Sequence, residues 1–329
     1  MKLKQVKGII KNIVQSSQTK AEEDFSRNYL EKYYRYSFKG DYCDCFQQYE
    51  ATITRLYHTI EKGLSYEDKN YRPGFGKDNI DLIITLMESY VIHGYSTREF
   101  FYQTALSCLQ AYIKKNAAFG YRDDAIEGRV QALWGQANNE GGVFWYTPLP
   151  EEEVQKLSFK ELMEDRHSVR HFSDKPVETE KLIAALSIAQ HTPSACNRQG
   201  WSARIITDKK NVAQVLNNQN GNSGFGQEID KLIIVTGDLR YYNRDRETYQ
   251  VYIDGGMYAA NILNALHYYH IGTIPLSAAL KPEQEKAIRE SLQIHDAEVF
   301  ILIIGVGNYP SGKILTTKSA RHEIRYRIC

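Results

Sequence analysis

Phe46, Tyr49, Ile53, Leu56 and Ile60 recur at steps of three and four, which places them on one face of a helix with Gly63 as its expected terminator. A second apolar run opens at Asp78 and closes near Gly94, and Ser96-Thr97-Arg98-Glu99 has capping-box spacing ahead of a third. From Ala21 to Trp134 the pattern predicts a helical bundle. Between Gly141 and Glu153, Gly-Gly, Thr-Pro and Leu-Pro pairs and an acidic tripeptide break the periodicity and mark a linker. Beyond it Ser158-Phe159-Lys160-Glu161 is another capping box, Glu178 to Gln190 reads as a helix and Trp201 to Thr207 as a short strand. Lys231 to Thr236 and Val299 to Val306 are β-branched apolar runs of the kind found in buried strands. Tyr249 to Tyr269 is a long helix, apolar on so many sides that it belongs in a core or against a second subunit. The expected fold class is α+β: an all-helical N-terminal domain over 1–146, a linker over 147–157, and a helix-flanked sheet domain over 158–329.

Composition supports two soluble domains, since 329 residues with 42% hydrophobic and 25% charged side chains suit a globular chain longer than one typical domain. With 41 basic against 40 acidic side chains there is no global field to favour nucleic acid or an anionic membrane. No apolar run approaches the ~20 residues that span a bilayer, and the Lys-rich opening lacks the continuous apolar stretch of a signal peptide, so the expected location is cytoplasmic. Cys43-Asp44-Cys45 is too closely spaced for a zinc knuckle, and His267 with His270 lacks a carboxylate or thiol cluster, so no metal is expected. His58 and Glu61, at i and i+3, suit either a hydrogen bond at a helix end or a shared ligand. Gly221 to Gly226 lacks the Lys-Ser/Thr of a phosphate loop, and Ser311-Gly312-Lys313 lacks the glycines before it.

Three polar segments could carry chemistry. In Arg166-His167-Ser168-Val169-Arg170-His171-Phe172, two guanidiniums and a hydroxyl at i, i+2 and i+4 of an extended chain share a face, and a guanidinium fork suits a phosphate. Lys318-Ser319-Ala320-Arg321 lies in a strongly basic tail that either binds the same anion or is simply solvated. His191 to Gln199 is a polar loop between helix and strand, with Pro193 stopping the helix; its Ser, Asn and Gln side chains both donate and accept, matching the edge of a heteroaromatic ring.

Arg-x-Ser-x-Arg-x-Phe, then Pro-Ser-x-x-Asn-x-Gln-x-Trp, then a buried helix from Asp254-Gly255-Gly256, then Lys-Ser-x-Arg, together resemble the flavin-dependent nitroreductase superfamily from about Phe159 onward. The resemblance implies a mixed sheet flanked by helices and a homodimer with FMN at the subunit interface. Two electrons would pass from NADH or NADPH to a small-molecule acceptor by a ping-pong mechanism, the flavin and not a side chain carrying the chemistry. It assigns Arg166, His167, Ser168 and Arg170 to the FMN phosphate, ribityl chain and N1/O2 edge, and Lys318 and Arg321 to the phosphate. Pro193, Ser194, Asn197 and Gln199 would lie on the flavin held by the other subunit. Pro275, Leu276, Ser277 and Ala278 fall where the family turns backbone N–H groups toward flavin N5. Here the sequence departs from the pattern: Ser277 and Ala278 replace glycines, Pro275 lacks an N–H, and Gly200 replaces the proline before Trp201. The helical N-terminal part lies outside the minimal family and resembles a subgroup with such an extension. These departures also suit a flavin-binding module of weak turnover whose helical domain recruits a partner, or a flavin dehydrogenase acting on a peptide or other large substrate.

Overall fold

A computed structural model describes residues 30–37, 43–243 and 247–329. The Lys-rich opening and the helical start expected at Ala21 lie outside them. Helix α1 is described over 30–36. Backbone contacts divide the described residues into two compact units, one of 43–148 with 312–329, the other of 149–243 and 247–311 with 30–37.

In the first unit, α2 (Phe46–Leu64), α3 (Lys77–Ile92), α4 (Phe100–Ala118) and α5 (Asp124–Ala132) lead to strand β1 (Val143–Tyr146). The periodic face of α2 is buried as its spacing predicts: Tyr49, Ile53, Leu56 and Ile60 join Ile80, Ile84, Met87, Tyr90, Phe101 and Leu109 in one core. Two termini differ from expectation. The helix passes through Gly63 and ends at Leu64; the glycine is there because a Cβ would stand 2.0 Å from the Phe75 ring. Ser96 does not close a capping box but accepts from Arg98 N–H, so α4 starts only after Glu99. Glu61, fully buried, accepts from Gly142 N–H at 3.0 Å and pairs with His58 Nδ1 at 3.1 Å, which makes it a structural hydrogen-bonding group.

The second unit runs α6 (Glu151–Val154), α7 (Phe159–Asp165), α8 (Thr179–Ala189), β2 (Trp201–Ile206), α9 (Lys209–Asn218), β3 (Lys231–Asp238), α10 (Gln250–Tyr268), β4 (Ile271–Ser277), α11 (Pro282–Leu292) and β5 (Glu298–Asn308). The capping box at Ser158 is formed in both directions with Glu161. The sheet order is β2-β3-β5-β4 with every strand pair antiparallel, and a parallel bridge from Ser168 to Thr273 makes the sheet mixed. One face of α10 packs on the sheet and on α8 through Tyr258, Ile262 and Leu266, while Tyr252, Ile253 and Met257 on its other side stay exposed in the chain. The fold is therefore α+β, a helical stretch followed by a mixed sheet flanked by helices. The last strand, β6 (Ile314–Thr317), pairs antiparallel with β1 and so belongs to the first unit.

Candidate functional site

Residues 166–173 leave the end of α7 and run along the open edge of β4. Val169 N–H donates to Thr273 O at 2.8 Å, Phe172 N–H to Glu228 Oε2 at 3.2 Å, and Ser173 N–H to Asn308 O at 2.9 Å. Phe172 anchors the run: its ring lies over Gly272 and Gly307, which face each other across β4 and β5. Arg170 is buried at 4% exposure, while Arg166, His167 and Ser168 are half-buried. Pinned at both ends, this stretch presents two guanidiniums, a hydroxyl and an imidazole over five residues. Such a set is rich in donors, and burial strengthens the pull of a guanidinium on an anion.

The polar loop is held to itself and to α10. Cys196, Asn197 and Gln199 have φ of 51°, 55° and 50°, a concentration of left-handed non-glycine residues that costs energy and persists only where surrounding bonds enforce it. Those bonds are present. Ser194 Oγ accepts from Gln199 N–H at 2.9 Å, and Gln199 Nε2 donates to Asn197 O and Oδ1, both at 3.0 Å. Ala195 N–H reaches Asp254, a fully buried carboxylate on α10 that also accepts from Tyr242 OH at 3.1 Å and Gln250 Nε2 at 2.7 Å. Arg198 makes a two-pronged pair with Glu247 at 2.7 and 2.8 Å and lies over the Tyr242 ring. The Arg198 hydrogen bonds push the Glu247 carboxyl down to about 2. Gly200 replaces the expected proline where a Cβ would stand 2.9 Å from Tyr241 and Tyr242.

Pro275 to Ser277 end strand β4. Thr273 turns its carbonyl to Val169, away from β5, and N–H and C=O directions alternate along a strand, so Pro275 and Ser277 also face the outer edge. Pro275 thus removes a donor from the edge and no bond from the ladder, which is why a proline is tolerated here. Lys318 and Arg321 lie in the other unit. There Lys318 N–H donates to Gly142 O at 3.0 Å and its ammonium to Asn139 O.

Residues 163–220 match the Nitroreductase family model. The match takes in the Arg166–Phe172 segment and the Pro193–Gln199 loop. A protein of Archaeoglobus fulgidus carrying an NADH dehydrogenase/NAD(P)H nitroreductase name is 28% identical over 149 residues, 44% of this chain and 81% of that one. An NAD(P)H nitroreductase by name from Streptococcus pyogenes is 41% identical over 54 residues, which is 16% of this chain and 27% of that protein. Among solved structures, an FMN-dependent nitroreductase from Clostridium difficile R20291 superposes with a TM-score of 0.41 at 21% identity, covering 46% of this chain and 88% of that one.

Four roles in this region are absent from the local pattern: Phe172 as the anchor of its segment, Asp254 as the buried partner of the polar loop, and Glu228 and Gln219 as hydrogen-bonding partners. Phe172 and Asp254 stand in the quoted motifs, and Asp254 is also the one acid of a largely apolar helix, where a charge survives only with partners. The others owe their positions to contacts between elements distant in sequence.

Proposed function

We propose that this chain is an FMN-linked oxidoreductase that moves two electrons from NADH or NADPH to a small-molecule acceptor. The carrying observation is the Arg166–Arg170 segment, donor-rich, part-buried and fixed against β4 inside the stretch that matches the family model. Its donors fit the chemistry of a phosphate ester on a polyol. Arg166 and Arg170 would hold the phosphate and the N1/O2 edge, with Ser168 and His167 bonding the ribityl hydroxyls.

When bound, FMN supplies the two-electron chemistry; the chain supplies binding, orientation and electrostatics. Ser277, at the outer edge of β4, would offer a backbone N–H to the isoalloxazine ring, with Pro275 and Leu276 beside it in the strand. The loop from Pro193 to Gln199 would serve the flavin of a second subunit, and Asp254, bonded to Ala195 N–H, holds that loop to α10. Donor and acceptor use one place in turn, which is the ping-pong order and needs no separate dinucleotide motif.

The test is the visible spectrum of the purified protein after addition of FMN, followed by anaerobic NADH or NADPH. Bound flavin that bleaches and then recovers with an acceptor supports the reading. Absence of flavin binding after FMN addition overturns it. The donorless edge at Pro275 favours a second reading, a flavin-binding module of weak turnover, which predicts bound flavin that bleaches slowly with both nucleotides.

A further inference from the structure

The outer edge of β4 carries a short gap between two clasps. At one end Val169 N–H donates to Thr273 O at 2.8 Å, and at the other Gln219 Nε2 donates to Ser277 O at 3.0 Å. Both carbonyls belong to residues facing away from β5, so Thr273, Pro275 and Ser277 form the outer row, and Ile274 and Leu276 carry the ladder. Pro275 contributes no N–H. Ser277 N–H is the main-chain donor that opens into the gap, and no described residue accepts from it.

Gln219 is itself held in one orientation. It is 6% exposed, and its Oε1 accepts from Gly221 N–H at 2.6 Å and from Asn222 Nδ2 at 3.2 Å. Turning the amide over would set donor against donor, so Nε2 is committed to Ser277. Asn222 also donates to Leu216 O and Gln219 O, both at 2.7 Å, closing the C-terminal end of α9. A Cβ on Gly221 would stand 3.0 Å from Gln219 Nε2, so a larger residue there would press on the clasp. Gly221 and Asn222, from a glycine-rich stretch that lacks the makings of a phosphate loop, seat this side chain.

We infer that Gln219 is a positioning residue: by holding Ser277 on the strand edge it aims the Ser277 N–H at a single ring-nitrogen acceptor of the bound cofactor. The inference rests on the FMN reading above, in which that acceptor is flavin N5. Because Pro275 silences the neighbouring edge position, no second main-chain donor of β4 compensates if Ser277 moves.

The test compares FMN with 5-deaza-FMN, in which a C–H replaces N5, by titrating the full-length apoprotein and following flavin fluorescence. A neutral hydrogen bond to N5 makes the wild-type chain prefer FMN by about three- to tenfold. Gln219→Met, similar in size but without the donor, brings that preference close to one. Gln219→Glu keeps the shape and the bonds to Gly221 and Asn222 and does the same, which covers the case of a Met variant that fails to fold. A merely structural role would weaken both ligands alike and leave the preference intact, and that result in either folded variant overturns the inference. A wild-type chain that binds both flavins equally also overturns it while leaving the FMN reading standing. A wild-type chain that binds neither removes the FMN reading and this inference with it.

Discussion

Replacing Gly307 by alanine places a methyl group against the residue that anchors the Arg166–Phe172 segment. The new Cβ would stand 2.5, 2.6 and 2.8 Å from Phe172 Cδ1, Cγ and Cβ. Two of these atoms lie at the root of the side chain, so a rotamer change cannot relieve the clash and the backbone of 166–173 must move. Overpacking of this kind costs about 1–3 kcal/mol. The alanine returns only about 0.4–1 kcal/mol by stiffening the unfolded chain. The net expectation is a loss of about 1–2 kcal/mol, or a fall of roughly 2–8 °C in the melting of this unit. Gly272→Ala is the internal comparison. Its Cβ would meet Phe172 Cε1 and Gly307 O at 3.2 Å, close enough to need only a few tenths of an ångström of adjustment, so the two terms nearly cancel. Urea denaturation of both variants, alone and with Phe172→Ala, measures the coupling. Removing the ring should at least halve the cost of Gly307→Ala. Equal costs with and without the ring would refute the anchoring argument. On the FMN reading, Gly307→Ala also weakens flavin binding through displacement of Arg170.

Arg166→Ala and Arg170→Ala should each weaken FMN by about tenfold to a hundredfold, since each loses a charge-assisted bond worth ~1.5–3 kcal/mol; titration of apoprotein checks this, and unchanged affinity removes the phosphate assignment. Mixing an Asn197→Ala chain with an Arg170→Ala chain should give heterodimers with one intact flavin site, so flavin content above the average of the two mutant homodimers is expected, and content at that average argues against a loop shared between subunits. Glu298 is buried, which raises its pKa, but Arg204 at 2.6 and 2.7 Å and Thr236 at 2.6 Å outweigh that and hold it below the usual range. A depressed folded pKa stabilises fully above the unfolded value of about 4.3 and is lost as pH falls through the folded value. Glu298→Gln should therefore cost about 1.5–3 kcal/mol at neutral pH, with the gap from wild type closing in acid; a gap unaffected by pH would contradict the pairing. For the same reason the Glu247 carboxyl should titrate near 2 rather than near 4.3 by NMR, keeping the Arg198 pair in acid, and an ordinary value would show that this clasp is absent in solution.

The sequence by itself carried the local decisions. The three- and four-step spacing of Tyr49, Ile53, Leu56 and Ile60 determined a helix and its buried face, because helical periodicity is a property of neighbours along the chain. Ser158 and Glu161 determined the start of α7 for the same reason, and the β-branched runs marked β3 and β5. The Arg-Ser-Arg-Phe and Pro-Ser-Asn-Gln segments, legible in their order, both fall in the stretch that matches the family model. Tertiary structure decided what depended on partners far away in sequence. Gly63 looked like a helix terminator, yet it is a seat for Phe75, and a terminator and a packing glycine are the same letter. Strand β4 went unread because Pro275 argues against a strand, and only its placement on an outer edge, where no ladder bond needs its N–H, makes it compatible with one. The ribbon of β1 and β6 joins residues about 170 apart, a pairing that no window of local pattern contains. Gln219 is the extreme case: one polar residue among several at the end of a short helix, made specific only by the carbonyl of Ser277, 58 positions further on.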